Sequence, residues 1–256
     1  MFSVLSIIMD IKEIGESDLL VTFFTREKGK LKGIAKGAKR SKRRFFNCLD
    51  LFFLSRIEME LKRGDLYFLH SCKLIEPFKR IREDYKSFVV ASYMIELTDV
   101  LFPIRVADEN MFDILKNSLL LLENRCDLKT LLIDYQAKAM SIAGYRINLE
   151  RCQICGRPYE GKGKGAFLVY KGGIVCLRCI KNVNSSVIME PQEINILRLL
   201  QLPSFKIDNH TPFPDKIVEK IGFILYFYID YILGRRLKTK RFIQSLFPFS
   251  QVLSKS

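Results

Sequence analysis

The chain has 256 residues, 48% hydrophobic and 27% charged, which excludes a disordered chain and leaves room for two domains or one large one. Forty-two Lys and Arg stand against 28 Asp and Glu, a formal net charge of +14. A soluble protein this basic usually meets a polyanion, either nucleic acid or an anionic membrane surface.

The start, MFSVLSIIMDIKEIG, shows no basic leader and no small-residue cleavage site. The longest apolar run, Phe223 to Leu233, carries Asp230 and is too short to span a bilayer. A packed helix in a cytoplasmic protein, with no membrane segment, is the expectation. Residues 1–80 read as β structure, because apolar runs of strand length recur at Val4–Ile11, Leu19–Phe24, Leu31–Ala35, Leu49–Met59 and Tyr67–Ile75. Turn residues separate them at Gly15–Asp18, Arg26–Gly29 and Arg63–Asp65. Five short strands with one long connection predict a small barrel of the OB type rather than the SH3 type.

Residues 81–150 switch to helical periodicity. A helix is expected over about Asp84 to Leu101, stopped before Pro103. The next places Met111, Phe112, Leu115, Leu119 and Leu122 on one face, with Asp108 as N-cap. A third runs from about Asp127, with Leu128, Leu131, Leu132, Tyr135 and Ala139 inward and Gly144 closing it. Beyond residue 185 helices resume, one starting at Pro191 and one spanning Asp215–Leu233. The expected architecture is α+β and multidomain. It has an OB-fold over 1–80, a helical domain in two parts (81–150 and 186–256), and a four-cysteine ribbon inserted at 151–185.

The ribbon rests on two close cysteine pairs, Cys152-Gln-Ile-Cys155-Gly156 and Gly172-Gly173-Ile-Val-Cys176-Leu-Arg-Cys179. Two C-x-x-C turns at this separation aim four thiolates at one centre, as in a structural zinc site. Gly156, Gly172 and Gly173 suit the tight turns of such knuckles. A redox pair of thioredoxin type needs one C-x-x-C in a βαβ setting, and two disulfides suit a secreted protein, so both are weaker readings. Four protein ligands close the site and leave no open position for an activated water, which makes Zn2+ here a structural cofactor. Cys48, Cys72 and Cys126 are scattered and read as core thiols in a reducing compartment.

Positive charge concentrates between Arg26 and Arg44, where ten of nineteen residues are Lys or Arg and only Glu27 is acidic. Glycines 29, 33 and 37 are expected to make this segment mobile and to let the backbone approach a phosphate. Phe45 and Phe46 follow. They are either stacking platforms for bases or core residues of the barrel. A second cluster, Arg235, Arg236, Lys238, Lys240 and Arg241, is either an extension of the same track or a solvated helix end. No catalytic constellation is visible. His70 reads as a barrel residue, and His210 sits in no triad or metal motif. Gly33-Ile-Ala-Lys-Gly37-Ala-Lys39 has the wrong spacing for a phosphate loop, and Gly161-Lys-Gly-Lys-Gly165 reads as a flexible tip inside the ribbon. Asn184-Ser185-Ser186 matches a glycosylation acceptor, which has no meaning in a cytosolic protein. The residues alone lead to a basic, metal-stapled nucleic-acid binder that is not an enzyme.

Three stretches in succession resemble the bacterial recombination and repair family RecO. They are Gly15 to Thr25 with Lys28-Gly29 and Gly37-Ala38-Lys39-Arg40-Ser41; Asp65-Leu-Tyr67 through Glu76-Pro-Phe78, Tyr93 and Glu96-Leu97; and Gly144-Tyr145 through the four cysteines. The resemblance implies an OB-fold, a helical domain and a zinc ribbon held by Cys152, Cys155, Cys176 and Cys179. It implies a non-enzymatic mediator that binds single- and double-stranded DNA and anneals complementary strands without ATP. With RecR, it helps load RecA on strands coated by single-strand-binding protein, whose tail takes an apolar patch on the helical domain. Phosphate contacts fall to Arg26, Lys28, Lys30, Lys36, Lys39, Arg40, Lys42, Arg43 and Arg44, with Arg235, Arg236 and Lys238 as a second track. Two other readings share the charge and the cysteines. A zinc nuclease or deaminase would need an H-x-E partner, which is absent. A ribbon protein of ribosome or RNA polymerase would prefer RNA.

Overall fold

The structure, a computed structural model, describes residues 1–62, 64, 66–180, 186–207 and 213–249. Arg63 and Asp65 of the third expected turn, the glycosylation match at Asn184 and Ser185, and His210 lie outside the described residues. Contacts group the chain into two compact units. One comprises Met1–Ala91 with Leu97–Asn124, the other Ser92–Glu96 with Arg125–Ser256.

The first unit is built on a closed five-stranded barrel. Its strands are β1 (Phe2–Ile14), β2 (Asp18–Thr25), β3 (Gly29–Ala35), β4 (Leu54–Leu61) and β5 (Leu66–Glu76), in the order β1-β2-β3-β5-β4. Neighbours are antiparallel except β3 and β5, which run parallel with Lys32 opposite Leu66 and Ile34 opposite Phe68. This is the arrangement the OB reading requires. Alternation fixes the faces, since a period of two sends every second side chain inward. Val4 and Ile8 of β1, Val21 and Phe23 of β2, Leu31 and Ala35 of β3, Ile57 and Met59 of β4, and Tyr67 and Leu69 of β5 form one buried core. Gly33 belongs to the same inward row, and a Cβ there would come within 2.6 Å of the Leu69 side chain.

Two expectations are corrected here. The apolar run Leu49–Phe53 is not part of a strand, and β4 begins at Leu54. Phe52 adopts φ 70°, which ends extension, and Phe52 and Phe53 instead bond back to Ile8 beside the bulge in β1. Nor do the glycines of the basic segment loosen it. Gly29 and Gly37 have φ 66° and 67°, and a Cβ at Gly29 would sit 2.0 Å from the Val106 carbonyl oxygen. These residues are glycine because the chain turns or packs too closely for a side chain.

Helices α1 (Lys79–Glu83), α2 (Tyr85–Leu101) and α3 (Glu109–Glu123) follow. Asp84 caps α2 by accepting from the Ser87 N–H at 2.8 Å, and Asp108 caps α3 by accepting from Met111. The periodic residues Met111, Phe112, Leu115, Leu119 and Leu122 are all buried, as their spacing predicts. Phe24, on the outer face of β2, lies 6.0 Å from Phe102 and 6.4 Å from Phe112, so α3 packs on the barrel.

In the second unit, α4 (Leu128–Ile142) packs against α5 (Pro191–Leu200) and α6 (Asp215–Leu233), with α7 (Lys240–Leu246) last. The helix before the ribbon therefore meets the helices after it, which makes the ribbon an insertion. Asp127 caps α4, Pro191 opens α5 and Gly234, at φ 61°, closes α6. Glu96, from the middle of α2, accepts from the backbone N–H groups of Lys238 and Thr239, each at 2.8 Å, and fixes the start of α7. Among the described residues, no helix is long and apolar enough to cross a membrane.

Candidate metal centre and nucleic-acid interface

The ribbon is a three-stranded sheet in the order β7-β6-β8, made of β6 (Gly165–Leu168), β7 (Gly173–Cys176) and β8 (Val187–Met189). The first knuckle hangs from a bridge between Arg151 and Pro158, where Gly156, at φ 72°, donates back to the Cys152 carbonyl at 2.9 Å. The second follows the end of β7, where Cys179 donates to the Cys176 carbonyl at 2.9 Å. Gly173 is needed where β7 meets the first arm, since a Cβ there would lie 2.6 Å from the Asn148 carbonyl oxygen.

These turns bring the four sulfurs together. All lie within 4.8 Å of one another, with Cys155 and Cys176 at 3.9 Å. A tetrahedral ion with bonds of about 2.3 Å holds its sulfurs about 3.8 Å apart, so a slight contraction would seat one. All seven cysteines are free thiols. Burial works to raise the Cys152 thiol, but the N–H groups of Cys155, Cys176 and Ile154 outweigh it and bring it down to about 6. Hydrogen bonds with Cys176 and Cys155 hold Cys179 up at about 12. A metal ion takes cysteine as thiolate, so its arrival at such a cluster releases protons. Among the described residues the cluster beside the sulfurs is small, made of buried Cys152, Leu168 and Val175. Such a core stabilises little by itself, and a bound ion is the natural staple. Hydrogen bonds tie the ribbon root to α5. The Gln201 side chain both accepts from and donates to the Ile147 backbone, at 2.7 and 3.2 Å, and Arg198 donates to the Leu149 carbonyl at 2.7 Å.

The basic segment occupies β3 and the loop after it, as its position predicts. The loop is anchored rather than free. Asp18 accepts from the Gly37 N–H at 2.8 Å, Lys39 donates its N–H to the Ser17 carbonyl, and Ala38, Phe45 and Cys48 are buried in the barrel core. Phe45 is therefore a core residue, whereas Phe46 is 64% exposed. The cations differ in what they face. Lys36, Lys42 and Arg43 are exposed, with no ion pair among the described residues. Lys28 lies over the Phe2 ring at 4.8 Å, and Arg44 donates to the Lys36 carbonyl at 2.9 Å. Lys39 pairs with Glu13 at 2.8 Å and Arg40 with Glu16 at 3.4 Å. Arg26 sits between Glu109 and Asp113, at 3.3 and 3.1 Å. Lys30 is different again. It is buried, and its ammonium lies 2.9 Å from the Asp99 carboxylate. It has a structural partner and is removed from the phosphate set.

Comparison with known proteins settles what the chain resembles as a whole. A family model described as "Recombination protein O N terminal" matches residues 2–78, and one described as "Recombination protein O C terminal" matches residues 82–241.

The chain belongs to the recombination protein O family.

Relatives agree along most of the length. A "DNA repair protein RecO" from Syntrophus aciditrophicus is 30% identical over 236 residues, covering 90% of each chain. One from Myxococcus xanthus is 31% identical, covering 93% of this chain and 95% of its own. One from Symbiobacterium thermophilum is 28% identical, covering 96% and 98%.

In this recombination protein O chain the second basic cluster is split by structure. Arg235, Arg236 and Lys238 are exposed beyond the end of α6, with Arg236 3.9 Å from Asp230. Lys240 is buried, donating to Asp230 at 2.6 Å and to the Tyr226 carbonyl at 2.7 Å. Desolvation lowers its ammonium to about 8 despite the Asp230 partner. The barrel surface also carries Lys32, Lys62 and Phe68, which the sequence reading did not single out. Strand alternation was the available signal, since Lys32 and Phe68 fall on outward positions of β3 and β5.

Proposed function

We propose that this chain is a DNA-binding recombination mediator. It holds single- and double-stranded DNA by the phosphates and anneals complementary strands without ATP. With RecR, it helps load RecA on DNA coated by single-strand-binding protein. The observation that carries this reading is the anchored, exposed row of Lys36, Lys42 and Arg43 on a closed barrel. Lys28, Lys39, Arg40 and Arg44 flank it, and Arg26 contributes where DNA competes with its carboxylates. Solvent-exposed ion pairs such as Lys39–Glu13 contribute little, so a phosphate can displace the carboxylate. Arg235, Arg236 and Lys238 form a second contact. A rigid cationic row neutralises the repulsion between two strands without reading bases, which suits annealing. Zn2+ held by Cys152, Cys155, Cys176 and Cys179 shapes the ribbon and takes no part in chemistry, and the chain is not an enzyme. The protein acts in the cytoplasm.

Annealing of two complementary oligonucleotides, without nucleotide and with or without single-strand-binding protein, tests this. The Lys42→Glu/Arg43→Glu variant runs alongside, with its fold checked by circular dichroism. Annealing on coated strands that the variant loses is the expected result. Equal annealing by the variant, or a preference for RNA, overturns the reading.

A further inference from the structure

Two of the cysteines outside the metal cluster meet inside the barrel. Cys48 lies in the loop before β4 and is 1% exposed, in the same core as Phe45 and Ile57. Cys72 lies on β5, opposite Ile57 of β4, and is half-buried against that core. The Cys72 thiol donates to the Cys48 carbonyl at 3.2 Å, across 24 positions of sequence, and the two thiols hydrogen-bond to each other. That carbonyl has a second donor, the Ser55 hydroxyl at 2.7 Å, so it stays satisfied when the Cys72 proton is lost. One more bond ties the pair to the basic segment, because the Cys72 N–H donates to the Arg44 carbonyl at 2.9 Å.

Two thiols in contact, one of them reachable from solvent, make a site for reversible oxidation. We propose that Cys48 and Cys72 form a disulfide on meeting hydrogen peroxide, and that this bond fastens the end of the basic loop to β5. The Cys48 sulfur, as thiolate, attacks the O–O bond and takes one oxygen as a sulfenic acid, while the other oxygen leaves with protons as water. The Cys72 sulfur then attacks the Cys48 sulfur, the S–OH bond breaks, and the hydroxyl leaves with the Cys72 proton as a second water. Two electrons thus pass from the sulfurs to one peroxide. The hydrogen bond from Cys72 lowers the Cys48 thiol and raises that of Cys72, so Cys48 is the first to lose its proton. Exchange with two small thiols restores both cysteines and leaves those thiols joined as their own disulfide. The stretch from Lys36 to Arg44 hangs between Gly37, held by Asp18, and Arg44, held by Cys72. A covalent bond four residues beyond Arg44 makes the second anchor permanent while it lasts. The crosslink forms whatever that stretch binds.

The full chain, purified with zinc, is treated with hydrogen peroxide, alkylated under denaturing conditions and digested with trypsin without reductant. Cys48 then lies in the peptide 45–56 and Cys72 in the peptide 64–73. A linked pair of these two peptides is expected by mass spectrometry, lost on adding dithiothreitol, absent in Cys72→Ser and kept in Cys126→Ser. The serine retains a hydroxyl that can donate to the Cys48 carbonyl, so this variant is expected to fold. Oxidised parent is expected to show a higher urea midpoint than reduced parent, and slower tryptic cleavage after Arg43 and Arg44 in the native state. Cys72→Ser is expected to show neither shift. Sulfinic or sulfonic acid at Cys48 without the linked pair, or pairing of either cysteine with another sulfur, overturns the crosslink. A crosslink that leaves the urea midpoint and the native cleavage unchanged overturns its role in fastening the loop.

Discussion

Lys30 on β3 and Asp99 near the end of α2 form an ion pair of 2.9 Å in which the lysine is buried and the aspartate half-exposed. Sixty-nine residues separate them, and the lysine sits in a run where most of the other cations are candidates for DNA. Burial decides its role. An ammonium covered by its own protein cannot reach a phosphate without breaking the pair. Lys30→Met is expected to destabilise the protein by about 1.5–3 kcal/mol, the value of a hydrogen bond to a charged group, while the salt dependence of DNA binding stays as in the parent. Urea melts and a salt titration on the same preparation check this, and a shallower salt slope would return Lys30 to the DNA set.

The cysteine geometry makes a selective prediction. Native mass spectrometry is expected to find one metal ion per chain in the parent and in Cys126→Ser, and none in Cys155→Ser. Chelation is expected to loosen the ribbon while the barrel still binds DNA, since a metal-bound ribbon stands to lose on the order of 10 kcal/mol of local folding energy. A full metal complement in Cys155→Ser would show that the fourth sulfur is dispensable.

Gly29 carries both a left-handed φ of 66° and a 2.0 Å approach of its missing Cβ to the Val106 carbonyl. Gly29→Ala is therefore expected to cost more than backbone strain alone, at least about 2 kcal/mol, seen as a lower denaturation midpoint. Gly15 has a similar φ of 57° with open space around it, so Gly15→Ala is the milder control.

Lys240 predicts a pH dependence. Desolvation lowers its folded value to about 8 from 10.5, so between those values the unfolded chain binds more protons than the folded one. Stability from this group therefore rises as pH increases from about 8 toward 10.5, and the charge-burial cost is fully present below 8. Subtracting the Lys240→Met variant from the parent at each pH cancels the other titrating groups. The difference in unfolding free energy is expected to climb across that window, and a flat difference would show that the ammonium is not desolvated.

Much of this was legible in the sequence because local rules govern it. Strand alternation, the Asp108 cap, the glycine after α4 and the two C-x-x-C turns each act over a few residues, and the structure follows them. The start of β4 was not legible, because a continuous apolar run such as Leu49–Phe53 hides the positive φ of Phe52. Helices α1 and α7, of five and seven residues, are too short to show a period. Lys30 and Lys240 read as surface charge because the partners that bury them come from elsewhere in the fold. The meeting of Cys48 with Cys72 depends on the loop before β4 folding back onto β5, which composition does not encode.

The order of strands has a consequence for synthesis. β1, β2 and β3 form a meander of local hairpins, and β4 and β5 form another, but the seams β3–β5 and β1–β4 join distant segments. A chain leaving the ribosome therefore completes the meander first and holds two unpaired edges until β5 arrives. Such edges are templates for pairing with another copy. The residues that follow β3 directly are the lysines and arginines between 36 and 44, and like charges on two nascent chains repel. The same row of cations thus guards the open barrel against self-association before there is any DNA for it to hold.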